Sequence, residues 1–353
     1  MPISHGALEG PGTRSVSLSG LRRLLVVIHL IPNMLVVLAQ EEKVSLRVDS
    51  PRMCTVEELL PFRGKGQWFD TTETTPSFNC TCPYYKARYY CPHAQEFRKI
   101  WEPYVVRRGT CSAIDRDSLV VNPLPPYASV LFVGNSHMRQ IVESILCLAT
   151  ESIREREVML FLGDNKPQRR HPVAVSRQCR GGWLARGCEA KLGPTSQCND
   201  DMVTIVFENH ATLRYAFENR EGNKSIEKYA ALFGMKPSDF DAVITNKGNA
   251  PPMTQDALVA SARALNAAGV PLFWLTTFEE GVNWEIEQSP FKGIDVVPFD
   301  TKNMVSGQRD LKVGIVEKDR SGDPHFCLPG PPSEIGILVL RMVWARINSM
   351  SVL

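Results

Sequence analysis

The chain has 353 residues, 43% of them hydrophobic and 22% charged, enough to bury a sizeable globular core. Its net charge is +2, and its basic pairs (Arg22-Arg23, Arg107-Arg108, Arg169-Arg170) are short and scattered. That balance argues against a dedicated nucleic-acid binder, which concentrates positive charge on one face.

The first segment, residues 1–40, reads as a leader. Arg14, Arg22 and Arg23 precede an apolar run from Leu24 to Ala39, followed by Gln40-Glu41-Glu42. This is the layout of a signal peptide, with Val37 and Ala39 as small residues before a cut. The run is interrupted by His29, Pro32 and Asn33 and falls short of the ~20 apolar residues of a full span. Cleaved signal peptide and uncleaved single-pass anchor both stay open, and either puts the rest of the chain in the secretory lumen.

Ten cysteines suit that compartment: Cys54, Cys80, Cys82, Cys91, Cys111, Cys147, Cys179, Cys188, Cys198 and Cys327. Two sequons, Asn79-Cys80-Thr81 and Asn223-Lys224-Ser225, are compatible with glycosylation. Cys80, Cys82, Cys91 and His93 also have zinc-ligand types, but disulfides are the expectation for a lumenal protein. Residues 41–125 are rich in Cys, aromatic, Pro and Arg, with weak periodicity. They read as an irregular, disulfide-pinned lobe.

After Pro123-Leu124-Pro125-Pro126 an α/β alternation begins, and residues 126–353 are expected to form one α/β domain. Ser129–Val133 is a continuous apolar run of the kind found in buried parallel strands. From Ser136 to Thr150, apolar residues recur at helical spacing. Further strands are expected at 157–162, 202–207, 241–245 and 270–275. Helices are expected at 254–268, ended by Gly269, and at 333–347, capped by Ser333. This pattern predicts a parallel sheet covered on both faces, with ligands at the carboxyl ends of its strands.

Three segments fall at such ends. Gly134-Asn135-Ser136 turns from strand into helix, where a serine hydroxyl emerges at the positive helix end. The bland reading of Ser136 is a helix cap. As a nucleophile it needs a base, and His325, in Asp323-Pro324-His325-Phe326-Cys327-Leu328-Pro329-Gly330, is the histidine with an acid in frame. Asp323 can fix its tautomer; the alternative is a structural loop histidine. The third segment is Asn246-Lys247-Gly248-Asn249.

Gly134-Asn135-Ser136-His137-Met138-Arg139-Gln140, followed by Glu143-Ser144-Ile145-Leu146-Cys147-Leu148, resembles the first block of the PC-esterase and trichome-birefringence-like proteins. Residues 323–330 resemble that family's closing block, and 241–249 its middle block. Cys54, Gly66-Gln67-Trp68, Cys91, Trp101-Glu102-Pro103 and Cys111 resemble its N-terminal signature. The ordered set spans roughly 54–347. The resemblance implies a three-layer α/β/α SGNH-hydrolase-like fold, a Ser–His–Asp triad, and O-acetyl transfer to, or removal from, glycan hydroxyls, often in the Golgi. Carried over, Ser136 is the nucleophile, His325 the base and Asp323 its partner. Arg139, Asn246, Gly248 and Asn249 are oxyanion or substrate candidates. No metal or nucleotide cofactor is required, and an acyl donor such as acetyl-CoA is a candidate co-substrate.

This sequence departs from the family at four places. Asn135 stands for an aspartate, Asn249 for a histidine and Phe326 for a tryptophan, while one residue rather than two separates Asp323 from His325. Asp319 is the fallback orienter. These departures are the case for the alternative, a catalytically inactive glycan-binding or scaffolding protein. A glycosyltransferase, with Asp200-Asp201 as the nearest metal-binding motif, is a further rival.

Overall fold

Strand β3 (Ser129–Gly134) sits at the centre of the molecule, and its alternating side chains divide the core. Val130 and Phe132 point into one hydrophobic cluster, Leu131 and Val133 into the other, as the period of two along a strand requires. All four are fully buried. The protein is seen here as a computed structural model that describes residues 52–61, 66–71, 99–161, 167–172, 202–217, 225–246, 255–276, 293–306, 308, 325, 326, 328 and 330–350. Residues 1–40, the asparagines of both sequons and the Cys80–His93 group lie outside the described residues. Among the described residues, no helix is long and apolar enough to cross a membrane.

Among the described residues the main sheet has eight strands: β3, β4 (Ile153–Phe161), β5 (Pro167–Pro172), β6 (Met202–Phe207), β7 (Thr212–Phe217), β8 (Ala242–Asn246), β9 (Leu272–Leu275) and β10 (Val296–Phe299). Their order is β10-β9-β8-β3-β7-β6-β4-β5. The strands from β10 to β7 are parallel to one another. Counted by first appearance, this half has the order 2-1-3-4-5, that of a doubly wound sheet.

Helix α4 (Ser136–Leu148) and α8 (Pro331–Met350) cover one face. The other is covered by α5 (Ile226–Leu232) and α6 (Gln255–Ala267). The result is a three-layer α/β fold. Where α4 and α8 cross, a side-chain carbon on Gly336 would lie 3.1 Å from Ile145. Glycine permits that close approach.

The expectation of an all-parallel sheet is corrected on one side. β6 pairs antiparallel with both β7 and β4, and β4 pairs antiparallel with β5. The reason is local. Only Glu208–Ala211 separate β6 from β7, too few for a crossover, so the chain must fold straight back. His210 takes φ 65° in that turn, and the Asn209 side chain accepts from Ala211 N–H at 3.1 Å. The spacing of apolar residues marks strands but carries no direction.

Part of residues 41–125 is more regular than expected. α1 (Val56–Leu59), the antiparallel pair β1 (Gly66–Asp70) and β2 (Lys99–Pro103), α2 (Tyr104–Arg107) and α3 (Arg116–Val121) lie there. Cys54 and Cys111 form a disulfide. Cys147 is also disulfide-bonded, to a partner outside the described residues. This lobe shares its core with the α4/α8 face, to which Leu59, Trp101, Leu119 and Leu124 contribute.

Buried polar bonds complete the join. The Glu334 carboxylate on α8 accepts from Trp101 N–H at 3.0 Å and pairs with Arg116. Arg341 donates to Ile114 O at 2.9 Å. Trp68 Nε1 donates to Met304 O, at 2.6 Å, on α7 (Thr301–Val305). Burial, and then the neighbouring Arg116, lower the Arg341 pKa; Glu102, Glu334 and Asp115 act in the other direction.

The final helix starts two residues before the expected Ser333 cap, at Pro331. Proline lacks the N–H that a first helical turn leaves unbonded, so Pro331-Pro332 fit inside it. Gly269, which ends α6, has φ 73°, the left-handed conformation glycine tolerates after a helix.

Candidate active site

In the parallel half, β3 runs on into α4 on one face while β8 leads towards α6 on the other. The crevice between their carboxyl ends is therefore the switch point at which doubly wound sheets bind ligands. Gly134-Asn135-Ser136 and Asn246 meet at that point.

The two asparagines lock the turn. Asn135 N–H donates to Asn246 Oδ1 at 3.1 Å, and Asn246 Nδ2 donates back to Asn135 Oδ1 at 2.7 Å. Asn135 Oδ1 also accepts from His137 N–H at 3.0 Å, making Asn135 the N-cap of α4. Gly134 is required by this contact: a side-chain carbon there would lie 1.9 Å from Asn246 Oδ1 and 2.7 Å from Met138 Cβ. Asn135 uses its side-chain oxygen to accept twice, a task a carboxylate oxygen performs equally well. An aspartate here would therefore leave the hydrogen bonds this oxygen makes unchanged.

Because Asn135 caps the helix, Ser136 is not the cap. It is the first residue of α4, where a backbone N–H has no intrahelical acceptor. Every later residue of α4, from His137 to Leu148, is buried, whereas Ser136 is only partly so. The helix thus presents its serine at the carboxyl edge of the sheet and embeds the rest. The Ser136 hydroxyl makes no hydrogen bond among the described residues.

His325 comes to the same place from 189 positions along the chain. It is buried, and its ring packs edge-on against that of His137, with centroids 5.4 Å apart. The next residue is held directly on α4. Gln140 Nε2 donates to Phe326 O at 2.6 Å, and Phe326 N–H donates to Gln140 Oε1 at 3.3 Å. Gln140 is fully buried and lies one helical turn after Ser136.

The other candidates divide. Arg139 is buried with its guanidinium 4.1 Å from the centroid of the Phe217 ring, at the end of β7, a cation–π arrangement. Asn246 is buried and committed to the asparagine pair. Asp323, Gly248 and Asn249, with the fallback Asp319, lie outside the described residues, as does Asp200-Asp201.

Sequence reasoning did not single out His137, Gln140 or β7. Gln140 could have been found from its i+4 relation to Ser136, which places both on one helix face. Among the described residues, the one grouping of metal-ligand types is Cys54, Glu58 and Cys111. Its two sulfurs are joined to each other, so it offers no thiolate to an ion.

A scan against protein-family models and a search of curated proteins return no match to this chain.

Proposed function

We propose that this chain is a serine-dependent acyl-transfer enzyme of the PC-esterase and trichome-birefringence-like type, with an SGNH-like fold. It acts on O-acetyl groups of glycan hydroxyls in the secretory pathway. One observation carries the reading: the segment containing His325 is bonded, through Phe326, to the helix whose first residue is Ser136.

In the mechanism, Ser136 Oγ attacks the acyl carbonyl as His325 accepts its proton. The Ser136 N–H at the start of α4 is one donor to the tetrahedral oxyanion, and groups from 246–249 supply the other. A donor of this kind contributes about 3 kcal/mol. Collapse expels the alcohol or thiol of the donor, which takes the proton back from His325 and leaves an acyl-serine. A sugar hydroxyl or water, deprotonated by His325, attacks that ester and releases Ser136. Asp323 is the proposed orienter of the imidazole. No step requires a metal or a nucleotide cofactor, and acetyl-CoA and acetyl esters are the donor classes to try.

The inactive, glycan-binding reading has one observation on its side: the Ser136 hydroxyl is not bonded to His325. In serine enzymes this bond commonly tightens only with substrate present. The deciding experiment follows acetyl release from a generic acetyl ester, with and without sugar acceptors. The wild type is expected to turn over, and Ser136→Ala and His325→Ala to lose activity by on the order of 10³-fold or more. Full activity in Ser136→Ala would end the proposal.

A further inference from the structure

We infer that Gln140 is a positioning residue for the general base, a two-point clamp that sets the register of the His325 segment against Ser136. The inference rests on the acyl-transfer reading and concerns a residue to which that reading assigns no role.

The geometry is specific. A glutamine side chain ends in one acceptor and one donor, and here they meet the N–H and C=O of a single residue, Phe326. This is how a neighbouring strand would hold it, but the partner is a side chain inside a helix. Backbone groups in a buried segment need partners, and the clamp supplies one to each of the two Phe326 groups. The segment has every reason to stay seated on α4.

The clamp also fixes a distance. Ser136 and Gln140 are four residues apart on a helix whose other residues are embedded, so their separation is set by helix geometry. Gln140 holds Phe326, and His325 is the residue before it. Nucleophile and base are thus referred to one rigid ruler, although their segments are remote in sequence. Further bonds steady the arrangement: Ser144 Oγ donates to Gln140 O at 2.8 Å, and Ser333 Oγ at the start of α8 lies 3.4 Å from Ser144 Oγ. A shift of the base by about 1 Å can cost on the order of 10²-fold in rate. Gln140 therefore acts on rate through His325 without touching substrate.

The test uses the full chain, a fluorophosphonate probe, and Gln140→Met, which keeps length and removes both polar atoms. Gln140→Glu, which retains an acceptor for Phe326 N–H and removes the donor, serves as the second variant. Three quantities are read: the rate constant of labelling at Ser136, the final fraction labelled, and hydrogen exchange at the Phe326 amide. A clamp predicts that Gln140→Met lowers the rate constant at least tenfold with the final fraction preserved, and speeds Phe326 exchange at least tenfold. Gln140→Glu should also lower the rate constant, with a smaller rise in exchange.

A rate constant within twofold of wild type, or a lower final fraction at an unchanged rate constant, overturns the proposal; the second result describes a residue needed only for folding. If neither variant folds, slow Phe326 exchange in the wild type supports the clamp and fast exchange overturns it. If the wild type is never labelled at Ser136, the acyl-transfer reading fails and this inference fails with it, whatever the exchange result. Labelling at Ser136 with unperturbed exchange in Gln140→Met sinks the clamp alone.

Discussion

Two segments remote in sequence are fastened to the α4/α8 layer, by opposite means. The N-terminal lobe is held by ionised groups: Glu334 with Arg116 and the Trp101 amide, and Arg341 with Ile114 O. The His325 segment is held by a neutral amide, Gln140, beside a second neutral pair, Asn135 and Asn246. A buried ion pair gives a rigid joint, strongly disrupted when one partner is removed. It would also place a fixed charge beside any group that must gain and lose a proton. In the proposed mechanism, neutral clamps next to Ser136 and His325 would hold geometry without biasing that proton. Charge fastens the lobe, and amides register the site.

The largest expected effect comes from breaking the lobe joint. Glu334→Leu strands Arg116 and leaves the Trp101 amide unsatisfied, at a cost of about 3–5 kcal/mol. Urea unfolding should show this, while the folded fraction keeps its Ser136 labelling rate constant. A large loss of rate constant without a loss of stability would dissolve the contrast.

Gly134→Ala should do the reverse. The added carbon collides with Asn246 Oδ1, so the asparagine pair must part. Overpacking of this kind costs about 1–3 kcal/mol, and labelling at Ser136 should slow at least tenfold in protein that remains folded.

Asn135→Asp places a charge on the amide side of the comparison. Its oxygen can still accept from His137 N–H and Asn246 Nδ2, and an anion suits a helix N-terminus by about 0.3–1 kcal/mol. The unfolding midpoint should therefore move little. A loss of several kcal/mol would mean that the amide, not the acceptor, is what the turn needs.

The smallest effect is a pH dependence in the lobe. Arg52, and then the Thr55 amide, bond the Glu58 carboxylate and hold its pKa at about 2, against an ordinary 4.5. A carboxyl depressed in the folded state adds stability above its ordinary pKa and loses that contribution as pH falls towards the folded value. The pair is near the surface, so the contribution is small. Glu58→Gln should lower the urea midpoint slightly at pH 7 and match wild type near pH 2. A constant difference across that range would remove Glu58 ionisation as the cause.

Much of the parallel half was legible. Ser129–Val133, 241–245 and 254–268 lie within about a residue of observed elements, because buried strands and amphipathic helices have different apolar periods. β7 was not read, since Thr212–Phe217 mixes Thr, Arg and Tyr into its alternation. The strand directions of β4 and β6 were also invisible: they follow from a four-residue turn and from pairings hundreds of atoms apart.

At the site, Ser136 and the His325 segment were chosen from sequence, and the structure puts that segment on α4. The two clamps were not foreseen. From sequence Asn135 reads as a lost charge, although its oxygen accepts twice, and nothing in the spacing around Gln140 points to a distant backbone partner. A side chain that bonds a distant backbone leaves no periodic trace.

The central claim is that Ser136 forms a covalent adduct with His325 as its base. Fluorophosphonate labelling of the full chain, followed by peptide mass mapping, tests it most directly. The account predicts one adduct, on the peptide containing Ser136, absent in Ser136→Ala and formed far more slowly in His325→Ala. An adduct mapped to another residue, or a His325→Ala variant that labels at the wild-type rate, would contradict it.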